Sequence, residues 1–481
     1  MNLHGTASRS PTPGQPMPGS NRRDLSFLSA AIVLVLALLF GLATPVLPPA
    51  LLFAAPIGVL LLYAGARWPL LGVFFTLALA FEVIPSQIVP SAGSFKAHEL
   101  LMMYLLGAVV LRAWLEGTPL LTPLRPFLLP LLYLVACIAA SSVYVHFFSP
   151  NPFLLTSYRV FVPLFVLPVI LISSQAKDCT PTLVRGMLVI ALAMACIAML
   201  QSMLDIRIMG GARMDSPEGD SGVARSFTGG ATYVIGFGIY YMVNGLVRSF
   251  PGARVWYPLG LLILAGGLAM TFGRGVWVAT GLGLIVSAAL YRGWRAGLLA
   301  GLLAGLLLAL LLTGLWVVRP RTAEAVVDRA LSTVNELESG GSFGWRQAEN
   351  SYALKAIAAR PWTGVGLGGE YKQTTASRGH FLNETYYIHN AYLAYPLRMG
   401  VQAAAVPFLF MLAFAVVSYR SLRIAQGRLR AVGAALAGAF LVPCITSYTQ
   451  PEWMGQGLGA FGLFMGAQYA VWQAALRERS T

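Results

Sequence analysis

The chain has 481 residues, 57% of them hydrophobic and only 11% charged, with a mean hydropathy of +0.70. A water-soluble fold of this length has no interior able to hold so much apolar surface, so lipid must cover it and the chain is a polytopic membrane protein. The net charge of +15 follows from loop placement, as shown below, and requires no nucleic-acid partner.

Residues 1–23 are rich in Pro, Gly and Ser and read as a disordered cytoplasmic tail. Arg22-Arg23 then precedes a long apolar run with no small-residue cleavage site after it, which predicts an uncleaved first span. Apolar windows long enough to cross about 30 Å of hydrocarbon recur from there. Within 24–317 they are Leu25–Leu42, Leu47–Ala64, Trp68–Ile84, Glu99–Leu115, Phe127–Phe147, Phe153–Ser173, Leu183–Met203, Gly229–Val247, Val255–Phe272, Val276–Tyr291 and Gly297–Val317. A polar stretch, 318–388, separates these from three C-terminal windows within 389–481: His389–Tyr419, Ala431–Tyr448 and Gly455–Ala475. The fold class is therefore all-α, a transmembrane helical bundle of about 12–14 spans with one large loop containing short helices. Unbroken Leu/Ala/Val runs, rather than alternation over about ten residues, exclude a β-barrel. Cys137, Cys179, Cys196 and Cys444 have no paired spacing and give neither a disulfide framework nor a metal site.

Lys and Arg in the short loops set the orientation. With the N-terminus cytoplasmic, 18 of the 33 basic residues fall on the cytoplasmic side, among them Arg112, Arg125, Arg420, Arg423, Arg428, Arg430 and Arg477. Short loops on the other side, such as Phe148–Pro152 and Thr449–Trp453, carry no Lys or Arg. That side, the outer one, holds two long loops, Asp205–Thr228 and Val318–Ile388. In the second, Ala323–Leu337 is amphipathic, and Trp345, Ala348, Tyr352 and Ala356 recur at helical spacing. The glycine-rich Gly364–Gly369 lacks the strand-then-helix context of a nucleotide-binding loop and reads as a tight, flexible turn.

Four basic groups stand where apolar sequence meets polar sequence on this face: Arg225, Arg274, Arg346 and His389. Arginine there either snorkels to lipid phosphate or forms a bidentate clamp for a diphosphate or carboxylate. His389 follows Tyr386-Tyr387 and precedes Asn390 and a long span. A neutral imidazole, with an ordinary pKa of about 6.5, can take a proton from a sugar hydroxyl. His380 sits in ordinary loop and is the weaker candidate. Arg159 and Arg398 fall inside predicted spans, where an unpaired charge costs about 3 kcal/mol or more; Arg398 marks a cavity floor or the inner half of its helix, and Arg159, about a turn from the outer end of its span, is a candidate to face a cavity.

In order along the chain, Arg225-Ser-Phe-Thr-Gly229, Phe272-Gly-Arg-Gly-Val-Trp277, Gly344-Trp-Arg346, Arg360-Pro-Trp-Thr-Gly-Val-Gly-Leu-Gly368 and His389-Asn-Ala-Tyr-Leu393 with Gly400 resemble the O-antigen ligase and polymerase family of bacterial envelope proteins. One departure is Gly229-Gly-Ala-Thr232, where family members often carry Asn-Pro-Asn. The resemblance implies a bundle like that of the GT-C-type glycosyltransferases. It also implies inverting transfer of a glycan from undecaprenyl diphosphate at the periplasmic face, with neither metal nor other cofactor. The acceptor would be lipid A–core or a growing polysaccharide, and in a related group a protein. Carried over by position, His389 is the base, with Arg346 and Arg274 acting on the reacting diphosphate. Arg225, Arg159, Asn390, Tyr386 and Arg398 are the substrate-binding candidates.

A lipid-linked oligosaccharide flippase would have a similar span count. Transporters place ionisable residues near the midplane on broken helices in two related halves. This sequence has no internal repeat and gathers its candidate groups on one face, which favours the enzyme. A purely structural envelope partner leaves the arginines of that face unexplained.

Overall fold

In the computed structural model the described residues are 63–65, 67–83, 91–92, 95–151, 153–176, 178–204, 213–216, 219–224, 229–248, 250, 253–339, 342–372 and 385–480. The predicted tail, the span Leu25–Leu42, nearly all of Leu47–Ala64, and the candidates Arg225 and His380 lie outside them. In chain order the helices are α1 (Pro69–Ala80), α2 (Ala97–Leu115), α3 (Leu121–Phe148), α4 (Leu154–Arg159), α5 (Val166–Ser173), α6 (Cys179–Leu204), α7 (Gly229–Arg248) and α8 (Ala253–Ala269). There follow α9 (Arg274–Arg292), α10 (Trp294–Val318), α11 (Pro320–Ser339), α12 (Ser342–Ala359), α13 (Ala391–Met399), α14 (Ala405–Ile424), α15 (Gly427–Thr446) and α16 (Gln456–Ser480). Two small antiparallel ribbons, Ser91–Ala92 with Phe95–Lys96 and Arg213–Ser216 with Gly219–Ala224, are the β-structure among the described residues.

Nine helical runs among the described residues are long and apolar enough to cross a membrane; with the shorter or more polar α1, α8 and α16 they answer every predicted window from Trp68 onward. The protein is a polytopic all-α membrane protein. Large apolar side chains such as Leu129, Leu302 and Phe408 point outward, as lipid contact requires. α16 is enclosed almost throughout its first four turns, whereas only 6% of the apolar window of α10 is buried.

Small residues let the central helices touch. A Cβ added at Gly283 of α9 would come within 2.7 Å of the Gly438 carbonyl of α15, so only glycine fits that crossing. Beside it, Asn244 Nδ2 of α7 donates to Ser287 Oγ at 3.0 Å and to the Ala431 carbonyl at 3.3 Å, tying three helices together inside the bundle.

The bundle has two chemically different ends. At one, Arg112 reaches the Arg67 carbonyl, Arg428 the Tyr241 hydroxyl, Arg430 the Leu290 carbonyl, and Arg477 the carbonyls of Ser174 and Gln175. At the other lie α11, α12, α13 and the loop 447–455.

The predicted span His389–Tyr419 is not one helix. α13 stops at Met399, and Gly400 takes φ 86 before the 3₁₀ turn Val401–Ala404 and then α14. A side chain at Gly400 would be strained by that φ and would meet the Trp362 carbonyl at 2.1 Å. The apolar run hid the break because α13 is buried in protein rather than in lipid.

Candidate active site

The polar stretch is fastened to the membrane helices by its glycine-rich turn. Gly364, Gly366 and Gly368 all adopt positive φ, and the turn they allow docks on α13 and α3. Val365 N donates to the Leu397 carbonyl at 2.7 Å, Val401 N to the Pro361 carbonyl at 2.8 Å, and Asn151 Nδ2 to the Leu367 carbonyl at 2.9 Å. The buried Ser141 hydroxyl of α3 bridges the two parts, donating to the Arg398 carbonyl at 2.9 Å and accepting from Leu367 N at 3.1 Å. The segment read as a flexible turn is thus a fixed clamp. It holds the end of α12 against α13.

That clamp presents α12 with Glu349, Ala353 and Ile357 inward, packed with Ile388, Ala394 and Leu397. The expected apolar face through Ala348 and Tyr352 is a correction: Tyr352 is 52% exposed, and the helix is turned by about one residue, roughly 100°. An acid, Glu349, therefore occupies the buried stripe.

Glu349 explains its own burial. Its Oε2 accepts from His389 N at 2.8 Å and lies 2.9 Å from His389 Nδ1; its Oε1 accepts from Lys372 Nζ at 2.6 Å. Burial works against ionisation, but these hydrogen bonds outweigh it and hold the carboxyl down at about 2, from an ordinary 4.5. An ionised carboxylate only accepts, so the hydrogen between it and the ring belongs to Nδ1. In the neutral imidazole this makes Nδ1 the donor and Nε2 the acceptor. This is a base with a fixed tautomer, its ring further held edge-on to Tyr387 at 4.9 Å between centroids.

The segments on either side support the triad. Tyr371 N donates to the Thr385 carbonyl at 3.2 Å, and Tyr371 Oη to the Tyr387 carbonyl at 2.7 Å. Burial, with the Glu349 carboxylate nearby, raises the Tyr371 phenol and keeps it protonated.

The other described candidates divide into four groups. Arg346 shares α12 with Glu349, three residues earlier and so on the same side of the helix. Arg398 and Tyr386 lie together: the buried guanidinium reaches the Tyr386 carbonyl at 3.4 Å and Met454 Sδ at 3.2 Å, and the Tyr386 ring stacks on Phe153. Asn390 caps α13, its Oδ1 accepting from Tyr392 N at 3.0 Å and Leu393 N at 3.4 Å, so its first task is to fix where the helix begins just after His389.

Arg159 and Arg274 stand on other elements. Arg159 Nε is paired with Glu99 Oε2 at 2.8 Å, the same oxygen that accepts from Lys96 N. Arg274 begins α9 after a built corner: Phe272 is buried at φ 49, Thr271 Oγ1 and Trp277 Nε1 both donate to the Leu268 carbonyl, and strain of this kind costs about 1–3 kcal/mol. The next residue, Gly275, faces Thr449, and the same loop's Ser447 carbonyl accepts from Ala391 N at 2.9 Å. Loop 447–455 therefore links the Arg274 corner to the start of α13.

An open cleft of about 740 Å³ runs along α12 past the start of α13, lined by Gln347, Asn350 and Lys355 on one side and Asn390, Leu393 and Tyr448 on the other. Among the described residues no group of three His, Cys, Asp or Glu is placed to hold a metal ion. Two acids escaped the sequence reading. Glu349 carried a usable signal, since it falls three residues after Arg346 and at four-residue spacing with Ala353 and Ile357. Glu452, 5% exposed in loop 447–455, is pushed up to about 7 by burial, with Tyr233 as its hydrogen-bond partner; nothing local marked it.

No curated protein matches this sequence. Residues 259–408, which run from α8 through α9, α12 and His389 to the start of α14, match the family model described as O-Antigen ligase. This segment, which contains the Arg274 corner, the Glu349–His389 pair and the Gly400 break, is what the chain shares with the O-antigen ligase family.

Proposed function

We propose that this protein transfers a glycan from an undecaprenyl-diphosphate carrier to an acceptor hydroxyl at the periplasmic face of a bacterial inner membrane. The acceptor is lipid A–core if it acts as a ligase, and a growing polysaccharide if it acts as a polymerase. The family-model match over residues 259–408 supports the general activity; the observation that carries the mechanism is the Lys372–Glu349–His389 chain of hydrogen bonds.

In this reading His389 Nε2 takes the proton of the acceptor hydroxyl as its oxygen attacks the anomeric carbon. The bond from that carbon to the diphosphate oxygen breaks, with inversion, and the electron pair leaves on the diphosphate. Glu349 keeps Nδ1–H in place and stabilises the imidazolium that forms, as a positioning residue. Arg346 and Arg274, with Arg225 outside the described residues, meet the charge that develops on the leaving group, where fixed cations accelerate reaction most. Arg159, Asn390, Tyr386 and Arg398 shape the site around them. The residues named complete the step with no cofactor.

Purified protein incubated with a lipid-linked repeat unit, with and without lipid A–core, tests this. Core-linked product identifies a ligase and longer chains on the carrier a polymerase; neither product from protein that is folded and carries His389 overturns the proposal. Orientation is tested separately, by reporter fusions at Gly340 and Gly427, which are expected on opposite sides, with Gly340 periplasmic.

A further inference from the structure

A second cavity lies at the opposite end of the bundle from His389. It is a crevice of about 500 Å³ that opens sideways between α3, α14 and α16. Along α14 its wall runs from Leu409 to Arg420. Eleven residues of helix rise about 16 Å, which matches the roughly 15 Å of hydrocarbon in one leaflet. The crevice is therefore one leaflet deep.

Its chemistry changes along that depth. The walls are apolar, with Leu129 and Pro130 of α3 facing Leu412 and Val416 of α14, and it ends at two cations, Arg125 of α3 and Arg420 of α14. No acid lines it. Arg420 is held over the ring of Trp472 of α16, 5.7 Å from the centroid, so its position at the mouth is fixed by packing. Pro126 and Pro130 both face the crevice and interrupt the α3 hydrogen-bond ladder there, which is where a helix departs from a neighbour.

We propose that this crevice binds one anionic phospholipid of the adjoining leaflet, with its phosphate between Arg125 and Arg420 and an acyl chain along the α3–α14 wall. A zwitterionic lipid would offer the same tail, but its cationic headgroup would sit beside two guanidinium groups with no carboxylate among the described lining residues to receive it. The two helices gripped here are those that carry Ser141 and the Gly400 break at their other ends, so the lipid would brace the scaffold of the candidate active site from below.

The test uses the full chain reconstituted in phosphatidylcholine bilayers and titrated with brominated phosphatidylglycerol. The signal is the quenching of Trp472, isolated as the difference between wild type and Trp472→Phe. Saturable quenching is expected with brominated phosphatidylglycerol and not with brominated phosphatidylcholine. Arg125→Gln or Arg420→Gln should weaken it about five-fold each, and the double variant about thirty-fold. Arg125→Lys with Arg420→Lys, which keeps the charge, should retain binding. Removing two arginines from the same end but outside the crevice, Arg295→Gln with Arg423→Gln, should leave it unchanged. Equal quenching by both lipids, an unaffected Gln double variant, equal loss in the control pair, or no lipid access to Trp472 because a second copy covers it would each overturn the proposal.

Discussion

The two ends of this bundle use charge in opposite ways. At the arginine-rich end the cations are mostly exposed and meet carbonyls and hydroxyls: Arg430 the Leu290 carbonyl, Arg428 the Tyr241 hydroxyl. Such contacts are individually worth little, and the sum of them serves to orient the chain in the membrane. At the other end charges are sunk into the protein and matched with acids: Lys372 and His389 with Glu349, Arg159 with Glu99. A buried charge pair is a poor route to stability, because desolvation opposes it. Among the described residues the buried pairs named here stand at this end, which points to chemistry there.

The comparison breaks most visibly at His389. His389→Gln should lower glycan transfer about 10²–10⁴-fold, with unchanged abundance in the membrane; wild-type turnover would remove the base. Arg346 comes next. Arg346→Ala should cost about 10²–10³-fold, and Arg346→Lys nearly as much, because a bidentate fork and not a point charge is required; a lysine variant close to wild type would reduce this residue to simple charge.

Stability should separate the ends further. Glu349 has its carboxyl lowered from 4.5 to about 2, so its contribution is fully present above pH 4.5 and is lost as pH falls toward 2. The gap in melting temperature between wild type and Glu349→Gln should therefore be full at pH 6 and narrow below pH 4.5. A gap independent of pH would contradict the ionised state. Smaller still, Ser141→Ala should cost about 1–3 kcal/mol, since it leaves the Leu367 amide without its buried acceptor. At the other end, Arg295→Gln should stay within about 0.5 kcal/mol in the same denaturation assay.

How much of this was written in the sequence depended on the range of the interaction. Hydropathy placed the helices from Trp68 onward because burial in lipid is a local property of about 20 residues. Junctions of apolar and polar sequence marked His389, Arg274 and Arg346 for the same reason. Three features escaped because they are set by tertiary contacts. The break at Gly400 is imposed by docking against Trp362, inside a run that stays apolar on both sides. The facing of α12 follows from the clamp at 361–369, so the stripe through Tyr352 was the wrong one. Glu349 finds its partners 23 and 40 residues away, Lys372 and His389, and no periodicity joins them.

The most direct test is the turnover of Glu349→Gln with His389 intact. Glutamine keeps the shape but also offers an amide donor, and so no longer fixes the hydrogen on Nδ1. The expected result is a kcat about a hundredfold lower with KM for the lipid-linked donor little changed, the signature of a group that acts in the transition state through the base. A wild-type kcat, or a loss confined to KM, would contradict the role given to the Glu349–His389 pair.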